Sequence, residues 1–200
     1  MVALPDRLIM TYEEYLAWES TQEMRHEFWD GEVIAIAGGT RDHNRVSVNF
    51  LKVLDNALAD LSCEVYIAGV KVQIQPKRKY FYPDVVVTCD ERDRNDALVV
   101  AYPCLIIEVL SPSTEAFESL SETLRERGFK FSQYRKFETL QEYVLVQVDQ
   151  PIVEVFQRND QRQWVFFEYG LSDHLFLKSV NLEIAISDLY RQIQFEQKNE

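Results

Sequence analysis

Two nearly continuous apolar segments, residues 80–88 and 104–110, constrain the fold of this chain most strongly. Such segments are typical of central strands that are covered on both faces of a sheet. Each contains a single acid: Asp84 follows Pro83 in the first, and Glu108 lies inside the second. A buried carboxylate without a partner costs several kcal/mol. Glu108 in particular therefore requires a cation, a set of hydrogen-bond donors or a bound proton.

The N-terminal part of the sequence predicts two helices and a hairpin. Thr11 and Glu14 have the spacing of a capping box, which opens a helix. Asp30-Gly31 lies between two strand-like segments and predicts a tight hairpin. Asp42 is placed to cap a longer helix whose apolar residues recur at helical spacing up to residue 61.

The remaining elements alternate between strands and helices. Residues 64–74 alternate as a strand whose phase reverses at Ala68-Gly69, as a β-bulge would produce. Residues 118–137 predict a helix with an interruption near Gly128. Three antiparallel strands are expected at 143–148, 152–157 and 164–168, followed by a terminal helix at 189–198. This order favours an α/β fold with an antiparallel portion, formed by residues 1–200 as a single domain with a polar tail from about residue 192.

The net charge of 21 − 33 = −12 argues against strong sequence-blind binding of nucleic acid, because phosphate is neutralised by Lys and Arg. A local basic patch remains compatible with nucleic-acid chemistry, especially beside a metal ion. Residues 122–138 carry five basic residues against three acids, which indicates one place where nucleic acid would approach. A second basic cluster, residues 77–79, is expected in a turn, where solvation is the more common outcome.

The three cysteines, Cys63, Cys89 and Cys104, lack the spacing of a metal site. They predict reduced, partly buried thiols in a cytoplasmic protein. No apolar segment approaches the roughly 20 residues that span a bilayer. Residues 1–10 also lack a secretory pattern, so no association with a membrane is expected.

Asp84 and Glu108 are 24 residues apart (108 − 84), a separation that suits two strands joined by one loop. Strands that lie side by side, or with one strand between them, would bring the two carboxylates to one edge of the sheet. Paired carboxylates of this kind suit Mg²⁺, which keeps several waters and takes one or two protein carboxylates.

Four segments in a fixed order resemble a known family. They are Tyr82-Pro83-Asp84 with the valines that follow, residues 105–114 around Glu108, residues 127–134 around Lys130, and residues 142–146. With Glu27 in the segment 27–32 and a histidine, His43, at the head of the first long helix, they resemble the Uma-type family of restriction-endonuclease-like proteins. That family belongs to the PD-(D/E)xK nuclease superfamily, and the likeness extends from Tyr12 to about Leu189.

The resemblance implies a restriction-endonuclease-like mixed sheet flanked by helices, with an N-terminal hairpin and antiparallel C-terminal strands. It implies that Asp84 and Glu108 hold Mg²⁺ (or Mn²⁺). The superfamily lysine two residues after the second acid is absent, since Leu110 stands there, and Lys130 matches the lysine that replaces it. Glu27 matches an acid that adds a ligand or a bridging contact. Glu126 departs from the family's usual Asp, which leaves the setting of Lys130 open.

Each of these residues also has a simpler interpretation. Asp84 could be a solvated acid at a strand end, and Glu108 could pair with Lys130 without a metal. Lys130 could form a surface pair with Glu126, four residues earlier. Glu27 could be a cross-strand partner in the hairpin, and His43 could cap or pack.

Three functions follow as hypotheses. The first is a Mg²⁺-dependent endonuclease that hydrolyses phosphodiester bonds of DNA, with catalytic residues Asp84, Glu108, Lys130 and Glu27. The second is a nuclease-fold binding or interaction module that is catalytically weak or inactive. The third is a metal-dependent hydrolase of another phosphoester. A homodimer would suit the cutting of both DNA strands, since two-fold symmetry is the commonest closed arrangement.

Overall fold

The computed structural model describes residues 8–36, 38–95, 98–110 and 125–195, with the side chains of residues 125–127 excepted. These residues form two six-stranded sheets and one two-stranded sheet. One six-stranded sheet, the N-terminal sheet, is built from N-terminal segments, and the other is the central sheet. The mixed α/β class expected from the sequence is confirmed, with the strands divided between two layers.

The strands of the N-terminal sheet are β1 (Leu8–Ile9), β2 (His26–Trp29), β3 (Glu32–Ala35), β5 (Lys71–Gln75), β6 (Lys79–Phe81) and β8 (Val99–Val100). Those of the central sheet are β4 (Glu64–Ile67), β7 (Val85–Thr88), β9 (Pro103–Leu110), β10 (Glu142–Gln147), β11 (Val153–Arg158) and β12 (Trp164–Tyr169). The strand order is β1-β3-β2-β6-β5-β8 in the N-terminal sheet and β12-β11-β10-β9-β7-β4 in the central sheet. The hairpin β13 (His174–Leu177) and β14 (Leu182–Ala185) forms the third sheet. The α-helices are α1 (Tyr12–Glu19), α2 (Arg41–Leu58), α3 (Phe131–Tyr134) and α4 (Ile186–Leu189).

The N-terminal elements begin and end largely where their local chemistry predicts. The capping box of α1 is present: Thr11 Oγ1 accepts from the backbone N–H of Glu14, and Thr11 N donates to Glu14 Oε2 at 2.8 Å. The β2–β3 turn holds Asp30 at φ 46° and Gly31 at φ 100°, the positive values that a tight hairpin requires. The predicted cap of α2 is wrong. Thr40 caps that helix, and Asp42 lies in the first turn, where its charge complements the helix dipole.

The reversal of phase near residue 68 is a crossing between the two sheets, so the predicted bulge is wrong. Strand β4 pairs with β7 in the central sheet, whereas β5 pairs with β6 and β8 in the N-terminal sheet. Ala68, at φ 38°, lies in the connection. Residues 80–88 likewise form two strands, β6 and β7, in different sheets. The second crossing contains Pro83 and Asp84, which places Asp84 between the two layers.

Strand β9 lies at the centre of the fold, between β7 and β10. It runs antiparallel to β7 and parallel to β10. One face of β9, with Leu105 and Ile107, packs in the core cluster that includes α2. The other face, with Ile106 and Leu110, packs in the cluster that includes Tyr134. By alternation Glu108 belongs to this second face, which lies toward the N-terminal sheet.

The C-terminal half agrees with the sequence in its strands and differs in its helices. The three predicted strands are confirmed as the antiparallel set β10, β11 and β12. The predicted helix at 118–137 is present in its described part as a π-helical segment, Arg125–Lys130, followed by α3; residues 118–124 lie outside the described residues. The predicted helix at 189–198 is wrong as far as residue 195, since α4 ends at Leu189.

Two of the three cysteines form a disulfide, so the prediction of three reduced thiols is wrong. Glu64 pairs with Thr88 in the β4–β7 ladder, and the next residue on each side places Cys63 opposite Cys89. Their Cα atoms are 4.0 Å apart and their sulfur atoms are bonded. Cys104 is a free thiol. In the described part of the chain, no helix has the length and apolar character needed to cross a membrane.

Candidate active site

Lys130 lies between two buried glutamates that come from different sheets. Its Nζ is 3.0 Å from Glu27 Oε1 on β2 and 3.1 Å from Glu108 Oε1 on β9. All three residues are at most 5% exposed. The alternative that Lys130 forms a surface pair with Glu126 is therefore wrong. The alternative that Glu27 serves as a cross-strand partner in the hairpin is also wrong, because its carboxylate pairs with Lys130. One ammonium group compensates two carboxylates in the space between the sheets.

Aromatic side chains enclose the ion-pair group of Glu27, Glu108 and Lys130. Tyr134 OH donates to Glu108 Oε1 at 3.0 Å, and its ring meets Phe81 edge-on at a centroid distance of 5.7 Å. Lys130 Nζ lies 5.7 Å from the centroid of the Phe81 ring. Since α3 follows Lys130 directly, Lys130 and Tyr134 lie one helical turn apart and reach the same glutamate. The surrounding rings keep water away and strengthen these charge-assisted bonds.

Replacing Tyr134 by Phe is expected to lower the free energy of unfolding by about 1.5–3 kcal/mol. The charged carboxylate of Glu108 would lose the hydrogen bond that it accepts from the Tyr134 hydroxyl, and a hydrogen bond to a charged group contributes about this much. The ring packing against Phe81 would be kept. Urea denaturation with a constant m-value measures the change. An unchanged midpoint would show that this hydrogen bond does not stabilise the fold.

Asp84 is held at the crossing by the backbone of β9 and by α2. Its Oδ2 accepts from Val109 N–H at 2.7 Å and lies 3.2 Å from His43 Nε2. The Val85–Ile107 pair of the β7–β9 ladder, continued by one residue, places Asp84 opposite Glu108. The side chain of Asp84 is 19% exposed, so it is the solvent-accessible member of the pair.

His43 contacts the carboxylate of Asp84, so its role is not limited to capping α2 or packing against it. Its backbone N–H donates to Thr40 Oγ1 at 3.2 Å, which fixes the first turn of α2. The ring then extends to Asp84. The structure thus brings five residues together. His43 contacts Asp84, Asp84 lies opposite Glu108, and Lys130 pairs with both Glu108 and Glu27.

Gln73 does not join this group. It donates to Tyr80 OH at 2.6 Å, and Tyr80 belongs to the aromatic cluster with Tyr15 and Phe28. Glu27 precedes Phe28 on β2 and therefore lies on the opposite face of the N-terminal sheet. Gln73 therefore points away from Glu27 and the ion-pair group.

Sequence reasoning missed Glu19, a buried acid at the end of α1 that positions two segments of the site. Glu19 Oε1 accepts from His26 N–H and from Tyr82 OH, both at 3.0 Å, and Glu19 Oε2 lies 3.0 Å from His26 Nδ1. His26 precedes Glu27, and Tyr82 precedes Pro83-Asp84. Burial and the charge of Glu19 raise the pKa of Tyr82, which keeps this hydroxyl a donor. Nothing in the local sequence separates Glu19 from an exposed helix-end acid.

Basic residues from the two clusters noted in the sequence lie near one another. Burial, followed by the charges of Lys79 and Arg135, lowers the pKa of Lys136. Lys79 Nζ lies 3.9 Å above the ring of Trp29, which stacks on Phe81 beside Lys130. Arg78 and Lys79 also pair with Asp30, so a basic patch that this one acid partly neutralises adjoins the ion-pair group.

Comparison with known sequences identifies the family. The family Uma2, described as "Putative restriction endonuclease", matches residues 12–189. The chain belongs to the Uma2 family. The resemblance seen in the order of its motifs is confirmed, and its extent agrees with residues 12–189.

Two relatives of the chain come from Synechocystis sp. The uncharacterized protein slr1290 is 40% identical over 183 residues, which cover 92% of both chains. The uncharacterized protein sll1609 is 34% identical over 170 residues, covering 84% of this chain and 92% of the relative. A crystal structure from Anabaena variabilis, described as a putative nuclease belonging to DUF820, superposes with a TM-score of 0.68 at 17% identity. The match covers 92% of this chain and 99% of that one, and at this identity it shows a shared fold.

Proposed function

We propose that this Uma2 protein is a metal-dependent nuclease that hydrolyses phosphodiester bonds of DNA. The observation that carries the proposal is the facing pair of Asp84 and Glu108 at the end of two central strands, with Lys130 bound to the second acid. A nuclease-like fold and the neighbouring basic patch support the same function. DNA is the substrate that this combination of acids, lysine and basic surface fits best.

The two carboxylates suit Mg²⁺ or Mn²⁺ in chemistry and in accessibility. Both contacts of Asp84 use Oδ2, and Oδ1 accepts no hydrogen bond from the described residues. Mg²⁺ takes carboxylate oxygens and retains waters, so two protein carboxylates suffice. In the described part of the chain, no group of three or more His, Cys, Asp or Glu side chains is arranged to hold a metal. Asp84 and Glu108 would therefore share the ion with water and phosphate oxygens.

A bound divalent cation supplies positive charge to the phosphate and makes a water more acidic. The residues of the chain supply orientation. Val109 N–H and His43 fix the carboxylate of Asp84, while Tyr134 and Lys130 fix that of Glu108. The ammonium group of Lys130 lies beside Glu108, where its positive charge would help to place the attacking water or neutralise the scissile phosphate.

A binding module without catalysis is the second candidate, and one observation favours it. Glu108 is already compensated by Lys130 and Tyr134, so the buried site is stable without a cation. Metal binding separates the two functions. A module would bind DNA without requiring Mg²⁺ or Mn²⁺.

The test of the proposal combines metal binding with cleavage. Purified protein is expected to nick plasmid DNA in the presence of Mg²⁺ or Mn²⁺ and to stop when a chelator is added. Mn²⁺ at about ten times its Kd should stabilise the fold by about 1.4 kcal/mol, which a thermal melt detects. Calorimetric titration with Mn²⁺ measures the same affinity without DNA. Absence of both metal binding and cleavage would support the module instead.

A further inference from the structure

The three cysteines lie in a row across three neighbouring strands of the central sheet. Cys63 precedes β4, Cys89 follows β7 and Cys104 lies in β9. Since β7 is between β4 and β9, Cys89 is the middle member of this sulfur row. Cys63 and Cys89 form the disulfide, and Cys104 Sγ lies 3.8 Å from Cys89 Sγ. A free thiol is thus in contact with the disulfide sulfur that it would attack.

A cavity opens beside the outer end of the row. Its volume is about 320 Å³, and it lies between the C-terminal turns of α2 and strand β4. Cys63 lines it together with two acids, Asp55 and Glu64. Tyr66, also in the lining, donates to Glu64 Oε2 at 2.8 Å and so fixes one of these carboxylates. A small molecule in the cavity would meet Cys63 and a negative potential.

We propose that the sulfur row is a thiol–disulfide exchange site that presents Cys63 to small cationic disulfides. The Cys104 thiolate attacks Cys89 Sγ, a Cys89–Cys104 disulfide forms, and the Cys63–Cys89 bond breaks with its electron pair on Cys63. Cys63 then attacks one sulfur of the small disulfide, forming a mixed disulfide and releasing one small thiol, which takes the proton lost from Cys104. Each step exchanges one disulfide for another, so no further oxidant is consumed.

The two acids in the cavity lining favour small disulfides that carry positive charge. Asp55 and Glu64 attract an ammonium-bearing disulfide and repel a carboxylate-bearing one, and ionic screening weakens both effects. At pH 7.5 and low salt, cystamine is a dication and should therefore react at least about fivefold faster than 3,3′-dithiodipropionate, a dianion of similar size. Neutral 2-hydroxyethyl disulfide should fall between them. The difference should shrink at high salt and in the variant Asp55→Asn with Glu64→Gln.

The rate should depend strongly on pH, because only the thiolate attacks. Burial, with a smaller contribution from the negative charge of Glu142, raises the pKa of Cys104 to about 12. Below that value the thiolate fraction rises about tenfold for each pH unit, and the rate of modification should rise with it. The Cys104 thiol meanwhile donates to Val87 O at 3.4 Å, which holds it beside Cys89.

The experiment treats the oxidised protein with excess cystamine at pH 7.5, 8.5 and 9.5, followed by acid quenching and peptide mapping by mass spectrometry. We expect cysteamine on Cys63 together with a Cys89–Cys104 link. The variant Cys104→Ser should keep the Cys63–Cys89 bond and take up no cysteamine, with Cys104→Ala as a second replacement and a thermal melt as the check of folding.

Three results would overturn the proposal. They are cysteamine on Cys104 with the Cys63–Cys89 bond intact, cysteamine on Cys63 in the folded Cys104→Ser protein, and no adduct on the unaltered chain at pH 9.5. An equal rate for cystamine and 3,3′-dithiodipropionate at pH 7.5 and low salt would overturn the assigned charge preference. Strand geometry places Cys104 about 13 Å from Glu108, so DNA cleavage by Cys104→Ser serves as a separate control.

Discussion

Replacing Asp84 by Asn is expected to lower metal-dependent DNA cleavage by about 10³-fold or more. Loss of one metal-binding carboxylate removes several kcal/mol of charge stabilisation, and each 1.36 kcal/mol is a factor of ten in rate. The fold should remain, because the amide oxygen of the replacement can still accept from Val109 N–H. Initial rates of plasmid nicking at saturating Mg²⁺, together with Mn²⁺ titration, measure the effect.

Asp93→Asn is the matched control for this substitution. Asp93 is also a largely buried aspartate, but it accepts from Thr88 Oγ1 and from the backbone of Ala101 and Tyr102, away from the acid pair. Its replacement should reduce stability and leave the cleavage rate of the folded protein unchanged. Equal cleavage by the Asp84→Asn protein and the unaltered chain would assign the activity to a contaminant or to another site.

The sequence predicts the acids of the site because burial makes them conspicuous. Asp84 and Glu108 are single charges in apolar segments, and this pattern has few stable solutions. Lys130 and Glu27 came from the order of family motifs, and the structure places Lys130 against both glutamates. The pairing of Asp84 with Glu108 could be predicted without the strand order of the sheet, because two neighbouring strands joined by one loop were enough.

The sequence could not predict which sheet each strand joins. A reversal of phase in a pattern of period two looks the same for a bulged strand and for two strands that face different layers. That ambiguity concealed the crossings at Ala68 and at Asp84. It also concealed the disulfide, which depends on Cys63 and Cys89 being opposite in register. Glu19 was missed because its partners, His26 and Tyr82, are distant in the chain.

Replacing Lys130 by Met is expected to destabilise the fold by about 3–5 kcal/mol. Removal of the ammonium group deprives the buried Glu27 and Glu108 of the ion pair that each forms with Lys130, and breaking a buried pair from one side carries this cost. Met retains most of the apolar stem that packs near Phe81. Urea denaturation measures the change in unfolding free energy.

Two further proteins determine whether charge is the cause. Lys178→Met removes an exposed ion pair with Asp160, so its cost should be about 0–1 kcal/mol. Adding Glu27→Gln and Glu108→Gln to the Lys130→Met chain removes both buried negative charges and should restore most of the lost stability. If this triple variant is as unstable as Lys130→Met alone, the negative charge of the two glutamates is not what destabilises the Lys130→Met protein.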